Sequence, residues 1–243
     1  MQDNPITLKS VILTCALSIL IILVLLVLQT TSGVKIVFCD VGQGNATYIK
    51  IPGGYDVLVD TGPDKSVLHC IGRHMDLNDK AIELIIITHP DLDHYGGARY
   101  LTGRYKIGNM IIKADQKENN QLKKLMGSLA ENHVPVSSYY SGDSITLKNN
   151  LDRHIRKISF LWPPVNNTYY EDNELSSILI YEDDDFRLLF TGDATPNILN
   201  RLTGKEVFNI DVLVVPHHGS RNGLTEKLLR LAEPEMAVIS VGK

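Results

Sequence analysis

Three short apolar runs in this chain each end in side chains that can bind metal ions. Residues 83–87, 186–190 and 211–215 are dominated by Ile, Leu, Val and Phe, and each is followed closely by His or Asp. Runs of this length and composition, bounded by turn residues, predict buried strands. Because sites in α/β sheets form at the carboxyl ends of strands, the pattern predicts an α/β fold with a site at one sheet edge.

The first run leads into the densest group of candidate ligands, which comprises His89, Asp91, Asp93 and His94. His89 and Asp91 are spaced so that both can face one metal centre, and Asp93 and His94 lie beyond a bend, within reach of a second. Imidazole suits Zn²⁺ and other transition ions, and carboxylates suit harder ions or bridge two ions. A solvated polar loop is the alternative interpretation, but such a loop does not require two His and two Asp directly after a strand.

The other two runs end in Asp193 and in the adjacent pair His217 and His218. The Thr-Gly-Asp sequence at residues 191–193 is often only a turn, and the His-His-Gly-Ser at residues 217–220 is moderately specific. In this order, each after an apolar strand, the three segments together predict a metal centre. The remaining histidines are interpreted as surface or packing residues: His69, His74, His133 and His154.

The N-terminal region carries the longest apolar segment. Residues 11–28 contain no charged side chain, and their length is near the lower limit for a membrane-spanning helix. Residues 1–10 form a short tail before them. A cleaved signal peptide is the alternative, although the weak positive charge before the run and the residues after it are poor signal-peptide features. We therefore predict one membrane anchor, followed by a single domain over residues 34–243.

Charge and cysteine content add two further expectations. The formal net charge of −4 argues against a general electrostatic attraction to nucleic acid. Local basic groups such as Arg99, Arg104 and Lys106 are explained equally well as solvated surface. Three cysteines do not make a disulfide framework, so we expect buried free thiols. These cysteines are Cys15, Cys39 and Cys70.

Several segments resemble the metallo-β-lactamase superfamily and, within it, the hydrolase domain of ComEC-type DNA-internalisation (competence) proteins. Residues 38–46 look like that family's opening Asp-Val-Gly-Gln-Gly-Asp strand and turn, and residues 59–62 look like its Asp-Thr-Gly turn. The spacing His89-x-Asp91-x-Asp93-His94 matches the variant in which Asp replaces the second His of the usual His-x-His-x-Asp-His. Residues 237–242 look like the last family strand.

The chain departs from the family pattern in three places. Asn45 stands where Asp is usual, which would remove a carboxylate near the site. Many relatives have a further His for the first metal, where this chain offers Asn173, Ser176 and Ser177, so we expect an oxygen-rich site that accepts Mn²⁺ as readily as Zn²⁺. Relatives usually continue past the position of Lys243 into a loop and a closing helix, so a truncated C-terminus is one interpretation.

The resemblance implies a four-layer αββα sandwich, preceded here by one N-terminal transmembrane helix. It also implies two divalent metal ions, Zn²⁺ or Mn²⁺, held by six side chains. These implied ligands are His89 and Asp91 for the first ion, Asp93, His94 and His217 for the second, and Asp193 as the bridge between both.

Three residues are the implied catalytic groups: Asp93, Asp193 and His218. Two metal ions lower the pKa of a bridging water to near neutrality and so supply a hydroxide nucleophile. His218 and Ser220 are candidates for orienting the substrate or donating a proton. A purely structural hydrogen bond is an equal alternative for His218.

The apolar run at residues 11–28 and the resemblance together imply a membrane-anchored, binuclear metal-dependent hydrolase. The resemblance makes it a phosphodiesterase or nuclease that acts on DNA and is related to competence DNA uptake. The expected partners are DNA or another phosphodiester, the membrane, and a separate channel protein. The hydrolase domain is expected outside the cytoplasm on a single-pass membrane protein. Two alternatives remain, a cell-envelope phosphoester hydrolase of the choline-phosphate type and a catalytically weak binding domain that works with a separate channel protein.

Overall fold

Two six-stranded mixed sheets form the body of the protein in the computed structural model, which describes residues 7–30, 33–113, 120–148, 154–166 and 173–242. The first sheet has its strands in sequence order: β1 (Lys35–Phe38), β2 (Thr47–Ile51), β3 (Tyr55–Val59), β4 (Ala81–Ile86), β5 (Lys106–Ile111) and β6 (Val136–Ser137). The second sheet has the order β12-β11-β10-β9-β8-β7. Its strands are β7 (Ser144–Lys148), β8 (Ile155–Trp162), β9 (Ile178–Asp183), β10 (Phe186–Phe190), β11 (Val212–Val214) and β12 (Met236–Val238).

The helices in the described part of the chain are α1 (Leu8–Thr30), α2 (Ser66–His74), α3 (Leu92–Tyr95), α4 (Ala98–Leu101), α5 (Asn120–Glu131), α6 (Pro196–Leu199) and α7 (Glu226–Ala232). Those that follow α1 cover the outer faces of the two sheets. Two of them, α2 and α5, pack Ile71 and Leu125 onto the first sheet. On the other side, α6 and α7 pack Ile198 and Leu228 onto the second sheet.

A third apolar cluster lies between the two sheets and joins them. Leu84 of β4 and Val57 of β3 pack there with Leu179 of β9 and Phe190 of β10. Strands that are apolar on both faces are expected when a sheet is covered on both sides. The layers are therefore helix, sheet, sheet and helix, as the predicted αββα sandwich requires.

Strand direction places the predicted site at one edge of each sheet. Strands β3, β4 and β5 are parallel, so residues that follow their carboxyl ends share an edge. The parallel strands β10, β11 and β12 do the same in the second sheet. The loops after β4, β10 and β11 therefore converge at one edge of the two sheets. The ligand-type residues that follow the three apolar runs are brought together there.

The predicted anchor at residues 11–28 lies within the long helix α1. Where its side chains are described, large apolar groups face outward, among them Leu13, which is 72% exposed. Within the described ranges, however, no helix combines the length and apolar character that crossing a membrane requires.

The cysteines differ from the expectation of free thiols. Cys39, just after β1, forms a disulfide with Cys70 of α2, and their Cα atoms are 5.6 Å apart, within the usual range. Cys15 is a free, exposed thiol. The expectation was wrong because the two partners are 31 positions apart in sequence and only the packing of α2 against the first sheet brings them together.

Candidate metal centre

Asp60 is a buried residue that supports the site through hydrogen bonds. It follows β3 and has a left-handed backbone conformation (φ 59°). Its Oδ1 accepts the backbone N–H of Thr88 at 2.7 Å, and its Oδ2 accepts the Thr88 hydroxyl at 2.7 Å and Nδ1 of His94 at 2.9 Å. One carboxylate therefore ties the end of β3 to the loop after β4 and points Nε2 of His94 away from itself, as a positioned metal-binding His requires.

The short helix α3 presents Asp93 and His94 to the cleft. His94 is fully buried, and its Nε2 lies 3.2 Å from Oδ1 of Asp193 without forming a hydrogen bond. Burial lowers the pKa of His94, but the carboxylates of Asp60 and Asp193 outweigh it and raise that pKa well above its ordinary value. The carboxylate of Asp193, which faces Nε2, would likewise stabilise a metal cation bound at that nitrogen.

Asp193 joins the second sheet to this cluster. It follows Gly192, whose φ of 49° is in the left-handed region and whose added Cβ would lie 3.0 Å from the hydroxyl of Thr88. The N–H of Asp193 donates to the hydroxyl of Ser176 at 3.2 Å. Strand β10 therefore ends directly against the loop that follows β4, with the carboxylate of Asp193 turned toward His94.

The turn at Pro216–Gly219 is where the geometry differs from the predicted ligand scheme. Nε2 of His218 lies 3.1 Å from Oδ2 of Asp93 and 3.7 Å from Oδ1 of Asp193, and its Nδ1 donates to the carbonyl of Ser240 at 2.9 Å. In the described part of the chain, ligand atoms of Asp93, His94 and His218 lie within 4.8 Å of one another. The structure therefore brings His218, rather than His217, against Asp93 and His94, and the predicted metal ligand His217 stays a prediction.

His217 nevertheless lines the same cleft, which has a volume of about 450 Å³. Both histidines have left-handed backbones, with φ of 51° at His217 and 53° at His218, so the two side chains leave a tightly turned loop. That loop is held against the second sheet because the N–H of His217 donates to the carbonyl of Gly192 at 3.1 Å.

The predicted first metal position contains His89 and Asp91. His89 is 1% exposed, and neither of its ring nitrogens has a hydrogen-bond partner among the described residues. Its Nε2 lies 3.2 Å from Oδ2 of Asp91, whose side chain is 38% exposed. Asn173 also lines the cleft. A buried imidazole that lacks hydrogen bonds on both nitrogens is costly unless another ligand takes one of them.

The donor set fits divalent metal ions. The buried atoms without a hydrogen-bond partner include both nitrogens of His89, Nε2 of His94 and Oδ1 of Asp193, and these three residues are among the predicted metal ligands. Burial raises the pKa of Asp93 and of Asp193, but the imidazoles of His218 and His94 beside them hold both values below the ordinary one. Both carboxylates are therefore ionised at neutral pH and available as anionic ligands.

Asn45, the departure from the family pattern, contacts the site through its backbone. Its N–H donates to the carbonyl of Asp93 at 3.2 Å, and its own carbonyl accepts from Gly62 at 2.7 Å. The neighbouring Gly44 approaches so closely that an added Cβ would lie 2.4 Å from the same Asp93 carbonyl. These contacts need no carboxylate at position 45, so the substitution leaves the support of Asp93 in place.

Sequence reasoning included Asp60 and Ser240 only within wider segments and gave them no individual role at the site. Ser176, which it offered as an oxygen donor to the first metal, accepts the backbone N–H of Asp193. For Asp60 a signal existed, since an Asp directly after a strand is well placed beside the loop of a parallel neighbour. Ser240 acts through its carbonyl oxygen, to which His218 donates. Every residue has a main-chain carbonyl, so the residue type at position 240 could not have indicated this role.

The sequence of the chain is similar to one protein family and to two bacterial proteins. The family model of the metallo-beta-lactamase superfamily matches residues 39–243. ComE operon protein 3 of Bacillus subtilis is 27% identical over 227 residues, covering 84% of this chain and 28% of that protein. Recombination protein 2 of Haemophilus influenzae is 30% identical over 216 residues, covering 84% of this chain and 24% of that protein. The chain thus spans about a quarter of the length of these relatives.

A solved structure agrees with the fold. A metallo-beta-lactamase with a HARLDQ motif from Cronobacter sakazakii superimposes with a TM-score of 0.53 and 17% identity, covering 83% of this chain and 87% of that one. At this level of identity the similarity concerns the arrangement of helices and strands.

Proposed function

The chain belongs to the metallo-beta-lactamase superfamily, and we propose that it is a binuclear metal-dependent hydrolase that cleaves phosphodiesters, with single-stranded DNA as its substrate class. The observation that carries the proposal is the convergence of Asp93, His94, Asp193 and His218 at one cleft, with buried ligand atoms that lack hydrogen bonds. The preference for DNA rests on the similarity to Recombination protein 2 and ComE operon protein 3.

The side chains divide into supporting and reacting groups. Asp60 and the carbonyl of Ser240 orient the imidazoles of His94 and His218, and so fix which nitrogen faces the cleft. We propose His89 and Asp91 as ligands of one ion, Asp93, His94 and His218 as ligands of the other, and Asp193 as the bridge.

Metal ions bound here would supply a hydroxide at neutral pH and stabilise charge on phosphoryl oxygens. The residues of the chain hold that centre and shape its access. Asp93 faces the cleft with a side chain that is 32% exposed, so it stays within reach of substrate. Gln43 and Ser220 line the same cleft and can donate hydrogen bonds to a bound phosphodiester.

We also propose that residues 11–28 associate with a membrane and that the hydrolase domain lies outside the cytoplasm, working with a separate channel protein. The outward-facing apolar side chains of α1 support membrane association. The Cys39–Cys70 disulfide supports an oxidising, extracytoplasmic compartment, because disulfides are rare where thiols are kept reduced.

The activity is tested with the full chain loaded with Mn²⁺ or Zn²⁺, using bis-nitrophenyl phosphate and a single-stranded oligonucleotide as substrates. We expect turnover with both and its loss in Asp193→Ala, which removes the bridging carboxylate, while His69→Ala on the exposed face of α2 keeps wild-type turnover. Circular dichroism verifies that each variant is folded. Hydrolysis of a choline phosphoester but of neither phosphodiester would favour the cell-envelope alternative. Metal binding without any hydrolysis would favour the binding domain.

A further inference from the structure

A basic groove lies at the edge of the first sheet opposite the metal centre. It has a volume of about 480 Å³ and is lined by residues at the amino ends of β4 and β5 and at the end of α5. Four of the lining residues carry basic side chains, all of them exposed: Lys80, Arg104, Lys106 and His133. Among the residues that the structure describes, no Asp or Glu lines it.

The cations of this groove are not neutralised within the described chain. Lys80, Arg104 and Lys106 take part in none of the ion pairs formed among the described residues, whereas the nearby Lys50 is paired with Asp76 at 2.5 Å. The whole chain carries a net charge of −4. A concentration of unpaired cations on an acidic protein marks a surface that attracts a polyanion.

Strand directions place this groove on the side of the domain where helix α1 is attached. Strand β1 runs parallel to β3, β4 and β5, because β1 and β3 are each antiparallel to β2. Lys35, at the start of β1, therefore lies at the same sheet edge as Lys106. Four strand spacings separate β1 from β5, which is about 19 Å.

The connection between the apolar helix and this edge is short. Helix α1 ends at Thr30 and β1 begins at Lys35, and a segment of that length reaches roughly 17 Å when fully extended. A membrane that holds α1 must therefore lie close to the edge that carries the groove. The metal centre follows the carboxyl end of β4, roughly 20–25 Å farther along the strand direction.

We propose that the basic groove docks the domain onto the headgroups of anionic phospholipids, so that the metal centre faces away from the bilayer. The inference rests on the proposed membrane association of α1. Lys and Arg side chains within a Debye length of an anionic membrane surface are attracted to it, which suits the exposed, unpaired cations of the groove. Docking would hold the cleft at a fixed height above the membrane, open to substrate from outside.

The test measures energy transfer from a dye in the groove to labelled lipid headgroups. The full chain carries Cys15→Ala and Asn132→Cys, so that the dye attaches to one thiol at the groove wall. It is reconstituted with vesicles of phosphatidylcholine, alone or with one third phosphatidylglycerol. We expect transfer to be more efficient with phosphatidylglycerol than with phosphatidylcholine alone, because docking brings the groove against the headgroups, and we expect 0.5 M NaCl to abolish this difference. Each cation contributes about five-fold to such attachment, so Lys80→Glu, Arg104→Glu and Lys106→Glu together should lower the docked fraction by on the order of tenfold or more.

A matched variant controls for net charge. Lys205→Glu, Lys227→Glu and Arg230→Glu make the same total change on an exposed region that includes α7, and this variant should behave as wild type. Equal transfer in the wild-type and groove variants would overturn the docking proposal. If the wild-type chain then still floats with phosphatidylcholine vesicles, α1 associates with the membrane and only the docking proposal is wrong. If the wild-type chain floats with neither kind of vesicle, the proposed membrane association is wrong as well. Loss of oligonucleotide binding in the groove variant, without lipid-dependent transfer, would make the groove a nucleic-acid site instead.

Discussion

At the scale of single residues, His217 and His218 are neighbours in sequence, but their surroundings differ. His218 is held by Ser240 on one ring nitrogen and faces Asp93 with the other, whereas His217 lines the cleft outside that three-residue cluster. We predict that His218→Ala lowers the affinity for Zn²⁺ by more than about 100-fold, beyond the ~10–100-fold typical of losing a supporting residue. His217→Ala should have the smaller effect.

Competition with a chelator, followed by elemental analysis, measures both variants. His69→Ala, which changes an exposed histidine on α2, is the control. The larger loss in His217→Ala would instead restore the ligand scheme inferred from sequence.

A second residue of interest is Asp56, which is fully buried in the first sheet. Its Oδ2 accepts the hydroxyl of Tyr48 at 2.8 Å, and its Oδ1 has no hydrogen-bond partner. Burial raises the pKa of Asp56 from 3.8 to about 6. Because the folded state holds this proton more tightly than the unfolded state, the group destabilises the fold at neutral pH, and the penalty disappears as the pH falls from above 6 to below 4.

We therefore predict that Asp56→Asn raises the free energy of unfolding at pH 7.5 by about 2–3 kcal/mol, which corresponds to the raised pKa, and that the gain shrinks toward pH 4. Urea denaturation of wild type and variant across that range measures the difference. Asp185→Asn on an exposed turn should leave stability unchanged at every pH. A gain independent of pH would mean that the carboxylate of Asp56 is not the source.

At the scale of elements, the disulfide ties the end of β1 to α2. It closes a segment of 31 positions, and restricting the unfolded chain over that length contributes about 3–4 kcal/mol. We predict that Cys70→Ala lowers the free energy of unfolding in urea by this amount and that Cys15→Ala does not. A thiol assay on the denatured, unreduced chain should detect Cys15 alone. Three reactive thiols would show that the bond is absent.

At the scale of the whole molecule, the chain combines an apolar helix, whose exposed side chains favour a nonpolar environment, with a folded domain whose surface favours water. We predict that the full chain stays with the membrane fraction after alkaline washing and that Leu20→Asp with Leu23→Asp releases it. A charge at the centre of an apolar segment costs about 2.5–3.5 kcal/mol per residue on insertion scales. Leu77→Asp, at a residue that is 92% exposed on the folded domain, should change nothing. Recovery of the wild-type chain in the soluble fraction would contradict membrane association.

The sequence by itself predicted the strands that end in ligand-type residues, because apolar periodicity and ligand spacing are local properties of the chain, and together with the family resemblance it predicted the αββα layers. For example, the apolar run at residues 186–190, predicted to be a buried strand, is observed as β10 (Phe186–Phe190). The metal-binding roles of His89, Asp91, Asp93, His94 and Asp193 stay predictions.

Tertiary structure alone decided which histidine of the adjacent pair turns toward Asp93, that Asp60 orients His94, and that Cys39 and Cys70 are joined. Each of these contacts links segments distant in sequence, from 31 to 125 positions apart. The positions of such partners depend on how the sheets and helices pack, and the identities of the residues on either side do not encode them.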